Sequence, residues 1–355
     1  MSAPRKTPAA LTPLRGGAHD IEQRKKDHID IILSGQAKHA RPAGFDDIDF
    51  EHNALPEINF AEIDLSTQFL GKPLRLPFLA SSMTGGPQLG GRINMSIAEA
   101  AQELGFAMGV GSQRIALGGG VNHGLDKSIR RVAPDIALYA NLGAVQLVHG
   151  MTVDDARRAV DLIEADALIL HLNPLQEALQ PGGDRNWAGV SAAIAQLCAA
   201  LPVPVIAKEV GAGISVPVAQ RLSDYGVAAI DVAGAGGSSW AAVEGRRTSS
   251  QEGQHLGELF RDWGIPTAAA LHDISGVLPD MPLIASGGIR HGLDGAKAIR
   301  LGATLVGQAA ALLPAATQGT EQVIQHVREW AEALRIACFA TGSATLDGLK
   351  RARLR

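Results

Sequence analysis

Eight short apolar runs constrain this chain more than any other feature. Each closes on a polar or glycine-rich turn and gives way to an alanine-rich helical stretch. The runs are Leu76 to Met83, Phe106 to Ser112, Ile136 to Gly143, Ala167 to Asn173, Val203 to Val210, Ala228 to Gly234, Met281 to Gly288 and Ala303 to Ala309. None alternates polar with apolar residues, the habit of parallel strands covered on both faces. Amphipathic segments such as VDDARRAVDLIEA and LDGAKAIRLG separate them. Repetition at roughly 30-residue intervals predicts an α/β fold, a closed (β/α)8 TIM barrel. An open doubly wound sheet is the alternative, because periodicity does not show closure. The lack of G-x-G-x-x-G after the first strand counts against it.

Composition agrees with a large core. Apolar residues make up 46% of 355, aromatics only 4%, and 41 residues are glycine. Lys+Arg (32) against Asp+Glu (36) gives a net charge of -4, so no bulk basic surplus points to nucleic acid, while a local cationic pocket stays open. Cys198 and Cys338 form no CxxC pair, which argues against a disulfide framework or structural zinc and for reduced thiols in the cytoplasm. No apolar run approaches the roughly 20 residues of a membrane span.

Residues 1–20 read as a mobile N-terminal tail, with Pro4, Pro8 and Pro13 spoiling an amphipathic helix. Residues 21–75 read as an N-terminal extension capping the barrel, and 76–345 as the barrel. Gly236 to Gly264, after the sixth strand, reads as a long loop with little apolar patterning, expected to act as a lid.

The strand ends collect polar residues where barrel sites lie. The turns after strands seven and eight, Ser286-Gly287-Gly288 and Gly307 onward, offer backbone amides near helix starts, an arrangement suited to a phosphate. Glycines needed only for tight turns explain one such site easily and two adjacent ones less well, which favours phosphate binding. Lys208, alone on an apolar strand, has three readings: a Schiff-base lysine, a cation beside a cofactor anion, or a partner of Glu209. His171 and His28 read equally as functional or as satisfied structural histidines. Glu177 lacks a second carboxylate at ligand spacing, which suits Mg2+ held by one carboxylate, waters and substrate phosphates. The run Arg24-Lys25-Lys26-Asp27-His28 taken alone reads as a solvated helix face, and Arg114 adds a cation able to clamp an anion.

Taken together, RKKDHI, SSMTGG, GVGSQR, NLGA, HLNPLQE, KEVGAGIS, DVAGAGGSSWAAVE and ASGGIRHGLDGAKAI resemble, in this order, type 2 isopentenyl-diphosphate isomerase, a family of FMN-dependent (β/α)8 barrels. The match runs from about Arg24 to the end of the eighth strand. The resemblance implies that Met83, Thr84, Gly85, Ser112, Asn141 and Lys208 contact the flavin ring and ribityl chain. It implies that Ser238, Gly287, Gly288, Arg290, Ala309 and Ala310 hold the FMN phosphate end. Arg24, Lys25, His28, Ser112, Gln113 and Arg114 would bind the substrate diphosphate, with His171, Asn173 and Gln176 nearby and Glu177 as Mg2+ ligand. Gln176, His171 and Lys208 are the implied catalytic group, with Gln176 positioning or relaying a proton.

The activity implied is interconversion of isopentenyl and dimethylallyl diphosphate, with reduced FMN as acid and base and NADPH or NADH as reductant. The family also implies a homo-oligomer, tetramer or octamer, with no nucleic-acid or membrane partner. Family members often carry Ser where this chain has Ala233 and Thr where it has Ser238, so the resemblance speaks to cofactor identity more than to affinity. Competing readings are a flavin oxidoreductase such as a 2-hydroxyacid dehydrogenase, an aldolase using Lys208, and a non-catalytic phosphate-binding module.

Overall fold

A computed structural model describes residues 18–82, 88–118 and 125–355. Met83, Thr84 and Gly85 therefore lie outside the described residues, as does most of the tail.

Eight parallel strands close into a barrel: β3 (Phe78–Ala80), β4 (Ala107–Gly109), β5 (Leu138–Gly143), β6 (Ala167–Leu172), β7 (Val205–Glu209), β8 (Ala229–Asp231), β9 (Leu283–Ala285) and β10 (Ala303–Gln308), with β10 pairing back onto β3. Closure excludes the open sheet. Each strand falls within its apolar run but is shorter, because residues at one or both ends of the run are spent on the turns. The absence of alternation has a direct cause. Leu79, Tyr139, Ile169, Ile206, Ile284 and Leu305 pack inside the barrel, while their neighbours Phe78, Leu138, Leu168, Val205, Leu283 and Val306 belong to the core under the helices. Successive side chains point to opposite faces, and both faces are apolar.

The N-terminal extension covers both ends of the barrel. Strands β1 (Thr67–Phe69) and β2 (Lys72–Leu74) form an antiparallel hairpin whose Phe69 and Leu74 join the inner cluster, with the Phe69 ring 6.2 Å from Tyr139. At the opposite end, residues 37–44 run over the loops that follow β8 and β9. The Ser239 amide donates to Ala37 O (2.8 Å), His39 N donates to Gly237 O (3.0 Å), and Ala268 N donates to Ala43 O (3.0 Å).

Two expectations need correction. The segment Gly236 to Gly264 is not a loop. It carries the helices Trp240–Arg247 and Gln251–Leu259, packed so closely that a Cβ on Gly257 would lie 2.5 Å from the Gly245 Cα. Helices that meet through glycine bury little side-chain area, so the usual apolar stripe is missing. The body also extends past residue 345. The helix Leu346–Lys350 buries Leu346 and Leu349, and Leu354 bridges to Phe50.

Candidate active site

The C-terminal ends of the barrel strands and the loops beyond them bring most of the expected residues together. The helix Ala18–Leu33 supplies Arg24, Lys25 and His28. Arg24 and His28 stand four residues apart and share a face. Against them packs the helix Trp240–Arg247, started by Ser239, whose Oγ accepts the Ala242 amide (3.3 Å) and donates to Arg261 O (2.7 Å). One turn later this helix presents Glu244, 1% exposed.

Glu244 was not anticipated, yet it is the hub. Its Oε1 accepts from His28 Nε2 (3.1 Å) and Gln176 Nε2 (3.0 Å), and its Oε2 accepts from Arg247 Nη1 (2.5 Å). A carboxylate only accepts, so the His28 proton sits on Nε2. The His28 ring also meets the edge of Trp240 at 4.9 Å. Burial alone would raise the Glu244 pKa. The bond and charge of His28, with Arg247 and Gln176, outweigh burial and hold it below the ordinary value. Burial lowers the His28 pKa, against the pull of Glu244. The missed signal was the spacing of Glu244 and Arg247, three apart in a helix opened by serine.

The mouth is cationic. Arg24 is lowered first by burial, with Glu244 and Glu177 opposing and with Arg247 and Arg114 close enough to add repulsion. The Lys25 Nζ is buried without a hydrogen-bond partner, and burial, then Arg24, brings its pKa down to about 8. The Arg247 Nε is likewise buried and unbonded, 3.9 Å from Asp27 Oδ2. A buried ammonium without a partner is costly, so Lys25 beside Arg24 suits an anion.

On the far wall, Asn173 precedes the helix Pro174–Leu179, in which Pro174 fixes the first turn. Its Nδ2 donates to Gln176 Oε1 (3.1 Å) and Glu177 Oε1 (3.0 Å). Gln176 is thus clamped at both ends of its amide, with one N–H left. Glu177 is buried and its Oε2 accepts the Asp184 amide (2.8 Å). Beside it the Asn173 Oδ1 is buried without a donor, an orphan acceptor that fits a hard divalent cation next to the carboxylate. Among the described residues no cluster of three or more His, Cys, Asp or Glu could hold a metal unaided.

The strand ends also bring together Asn141, His171, Lys208, Asp231 and Ser286, whose Oγ donates to Asp231 Oδ1 (2.6 Å). His171 Nδ1 lies 2.8 Å from Asn141 Oδ1, and burial followed by the Lys208 charge lowers its pKa to about 4. The Lys208 Nζ donates to Glu209 O (2.7 Å) and stands 3.9 Å from Asp231 Oδ2, which has no hydrogen-bond partner. The Glu209 carboxylate turns away from Lys208. Its Oε2 accepts the amides of Val210, Gly211 and Ala212, and burial, against those three donors, raises its pKa to about 7. Pairing of Lys208 with the Glu209 side chain is therefore corrected: the partner is its backbone carbonyl.

The phosphate turns divide. The amides of Ser238, Gly287, Gly288, Ala309 and Ala310 donate to no acceptor among the described residues, so three successive strand-to-helix connections hold unspent donors, as an FMN phosphate requires. The glycines themselves answer to packing. A Cβ on Gly287 (φ +99) would lie 2.1 Å from Gly234 O, and one on Gly288 (φ +72) would lie 2.7 Å from the Ala43 Cβ. Arg290 departs from expectation, because its amide and guanidinium bond Asp294 and its guanidinium also reaches Asp46. Gln113 departs as well. Fully buried, it donates to Ala159 O (2.9 Å) and accepts the Asn141 amide (3.0 Å), bracing the strand end rather than facing the mouth. Ser112 is half-buried at the same strand end. Ala233 takes a left-handed φ of +37 while its amide bonds Asp231 Oδ1 (3.2 Å).

A family model for FMN-dependent dehydrogenases matches residues 177–355. The isopentenyl-diphosphate delta-isomerase of Xanthobacter autotrophicus is 58% identical over 94% of this chain and 97% of its own length. The isomerase of the same name from Stutzerimonas stutzeri is 59% identical with the same coverage. Among solved structures, mandelate oxidase with (S)-2-phenylpropionate superposes with a TM-score of 0.65 at 19% identity, covering 95% of this chain and 98% of that one. A mandelate oxidase carrying a monooxide FMN adduct gives 0.65 at 18%, covering 95% and 99%. Those oxidases establish a shared barrel. Near-full-length identity to the isomerases, on an FMN-dependent barrel, places the chain in the type 2 isopentenyl-diphosphate delta-isomerase family.

Proposed function

We propose that this protein interconverts isopentenyl diphosphate and dimethylallyl diphosphate by a 1,3-allylic proton shift in isoprenoid biosynthesis. The observation that carries the reading is the buried, unpartnered Lys25 Nζ beside Arg24, in a mouth that Arg114 and Arg247 also line. Such a cluster needs several negative charges at once, and a diphosphate supplies them. Mg2+ at Glu177 and Asn173 Oδ1 would share that charge.

Reduced FMN, when bound, supplies an electron-rich ring and a nitrogen that gives and takes a proton. Lys208 and Asn141 would hold its ring and ribityl chain, and the amides of Ser238, Gly287, Gly288, Ala309 and Ala310 its phosphate. Arg24, Lys25 and Arg114 grip the diphosphate far from the double bond, so remote binding energy fixes the alkene in place. Gln176, clamped between Asn173 and Glu244, presents its remaining N–H at a fixed angle and holds a proton path in register. Neutral His171, fixed through Nδ1 by Asn141, keeps Nε2 as an acceptor at the strand ends. NADPH or NADH would provide the reducing equivalents, and a cytoplasmic homo-oligomer, tetramer or octamer, belongs to the same reading. No helix among the described residues is long and apolar enough to cross a membrane.

The test is an anaerobic assay of the FMN-loaded protein with isopentenyl diphosphate, Mg2+ and a reductant. Dimethylallyl diphosphate should form only with reduced flavin. No conversion, or oxidation of 2-hydroxy acids in its place, would overturn the reading.

A further inference from the structure

Residues 181–187 join two walls of the mouth through one side chain that has no assigned role. The Asp184 Oδ2 accepts from Arg114 Nη1 (3.2 Å) and from Gln146 Nε2 (3.1 Å), and its Oδ1 lies 4.0 Å from His149 Nδ1. The backbone of the same residue faces the other way. Its amide donates to Glu177 Oε2 (2.8 Å), and its carbonyl accepts the Trp187 indole N–H (3.0 Å). Gly183 makes the approach feasible, since a Cβ there would lie 2.1 Å from Glu177 O.

We propose that Asp184 is a positioning residue that locks Arg114 and Glu177 into one unit, so that the anion-gripping and cation-holding parts of the mouth are set together. This rests on the mouth being a diphosphate site. Arg114 opens a helix of only four residues, Arg114–Leu117, which offers its long side chain little support. Its side chain is 31% exposed and that of Asp184 18%, so the pair is partly shielded yet reachable. A guanidinium has five N–H donors in a rigid fork. Asp184 takes one and thereby aims the rest at an incoming anion, ordering the side chain before the ligand arrives. Its amide meanwhile holds Glu177 Oε2 while Asn173 Nδ2 holds Oε1, so the carboxylate is fixed in one orientation toward a cation.

The experiment compares the FMN-loaded wild type with Arg114→Ala, Asp184→Ala, Asp184→Asn and the Arg114→Ala/Asp184→Ala double variant. Binding of inorganic pyrophosphate is measured by calorimetry with and without Mg2+, alongside KM and kcat. Asp184→Ala should weaken pyrophosphate binding and raise KM about tenfold, with kcat within about twofold. Half-saturation by Mg2+ should rise with it. Asp184→Asn, which keeps an acceptor for Arg114, should recover most of the loss and covers the case in which the alanine variant does not fold. On the Arg114→Ala background without Mg2+, Asp184→Ala should add less than about twofold, because its effect passes through Arg114. Additive losses, unchanged binding, or tighter binding (Asp184 then competing with the ligand for Arg114) would each overturn the proposal. Should Arg114→Ala itself bind pyrophosphate like wild type, the diphosphate reading of the mouth fails instead.

Discussion

Gln176 donates to Glu244 across 3.0 Å, and this one bond ties the short helix after the fourth barrel strand to the helix after the sixth. The same carboxylate oxygen accepts from His28, so the N-terminal helix is held by the same atom. A hydrogen bond to a buried charge contributes about 1.5–3 kcal/mol. Glu244→Gln should therefore lower kcat about 10- to 100-fold while FMN content stays at the wild-type level. Steady-state kinetics with flavin quantitation would check it, and retention of more than half the activity would remove Glu244 from its role.

Lys25 pits stability against binding. Its ammonium is buried without a partner, so Lys25→Met should raise Tm by about 2 °C and weaken pyrophosphate binding about tenfold. With the pKa lowered to about 8, the free protein loses this charge as pH rises through that value. Pyrophosphate affinity should fall over the same interval, and Lys25→Arg should move the fall to higher pH. Calorimetric titrations at several pH values decide the matter.

His171 sets the acid limb of stability. Its folded pKa, about 4, lies below the ordinary 6.5, so between these values the unfolded chain takes up a proton that the folded one refuses. Stability from this group is complete above about 6.5 and falls as pH drops towards 4, by on the order of 3 kcal/mol at the end. His171→Asn should flatten that part of a urea-unfolding series. An unchanged slope between pH 6.5 and 4 would assign the loss to other groups.

Gly287 and Gly182 make a matched pair of left-handed glycines, at φ +99 and +72. A Cβ on Gly287 strikes the Gly234 carbonyl, whereas one on Gly182 meets nothing within 4 Å. Gly182→Ala should cost only the conformational penalty, about 1 kcal/mol. Gly287→Ala should cost clearly more and release FMN, because the turn with the free amides must open. Equal midpoints in denaturant for the two variants would contradict the packing described here.

The barrel was legible because both faces of every strand are apolar, and Phe78 beside Leu79 shows why no alternation is visible. Strand ends were less legible. Ala233 looks like a strand residue, yet its left-handed backbone belongs to the turn that bonds back to Asp231. The helices after β8 were invisible to hydrophobic patterning because Gly245 packs on Gly257. Individual cations were readable from residue type, but their counter-ions were not. Glu244 and Asp184 reach partners 68 and 70 residues away in the chain, a separation that no local spacing encodes. Gln113 misled for the opposite reason: it stands among ligand-type residues, but its side-chain amide is spent on the backbone of the neighbouring strand and of the helix Val153–Ile163.

Residues 37–44 follow the helix bearing Arg24, Lys25 and His28 after a short turn and carry Ala43, wedged against Gly236 and Gly288. Chain length between those two anchor points is therefore a ruler. Adding or deleting a residue within it would shift the mouth relative to the turns with the free amides, although neither cluster had itself been altered. Natural variation in this short stretch should accordingly be by substitution, with its span conserved.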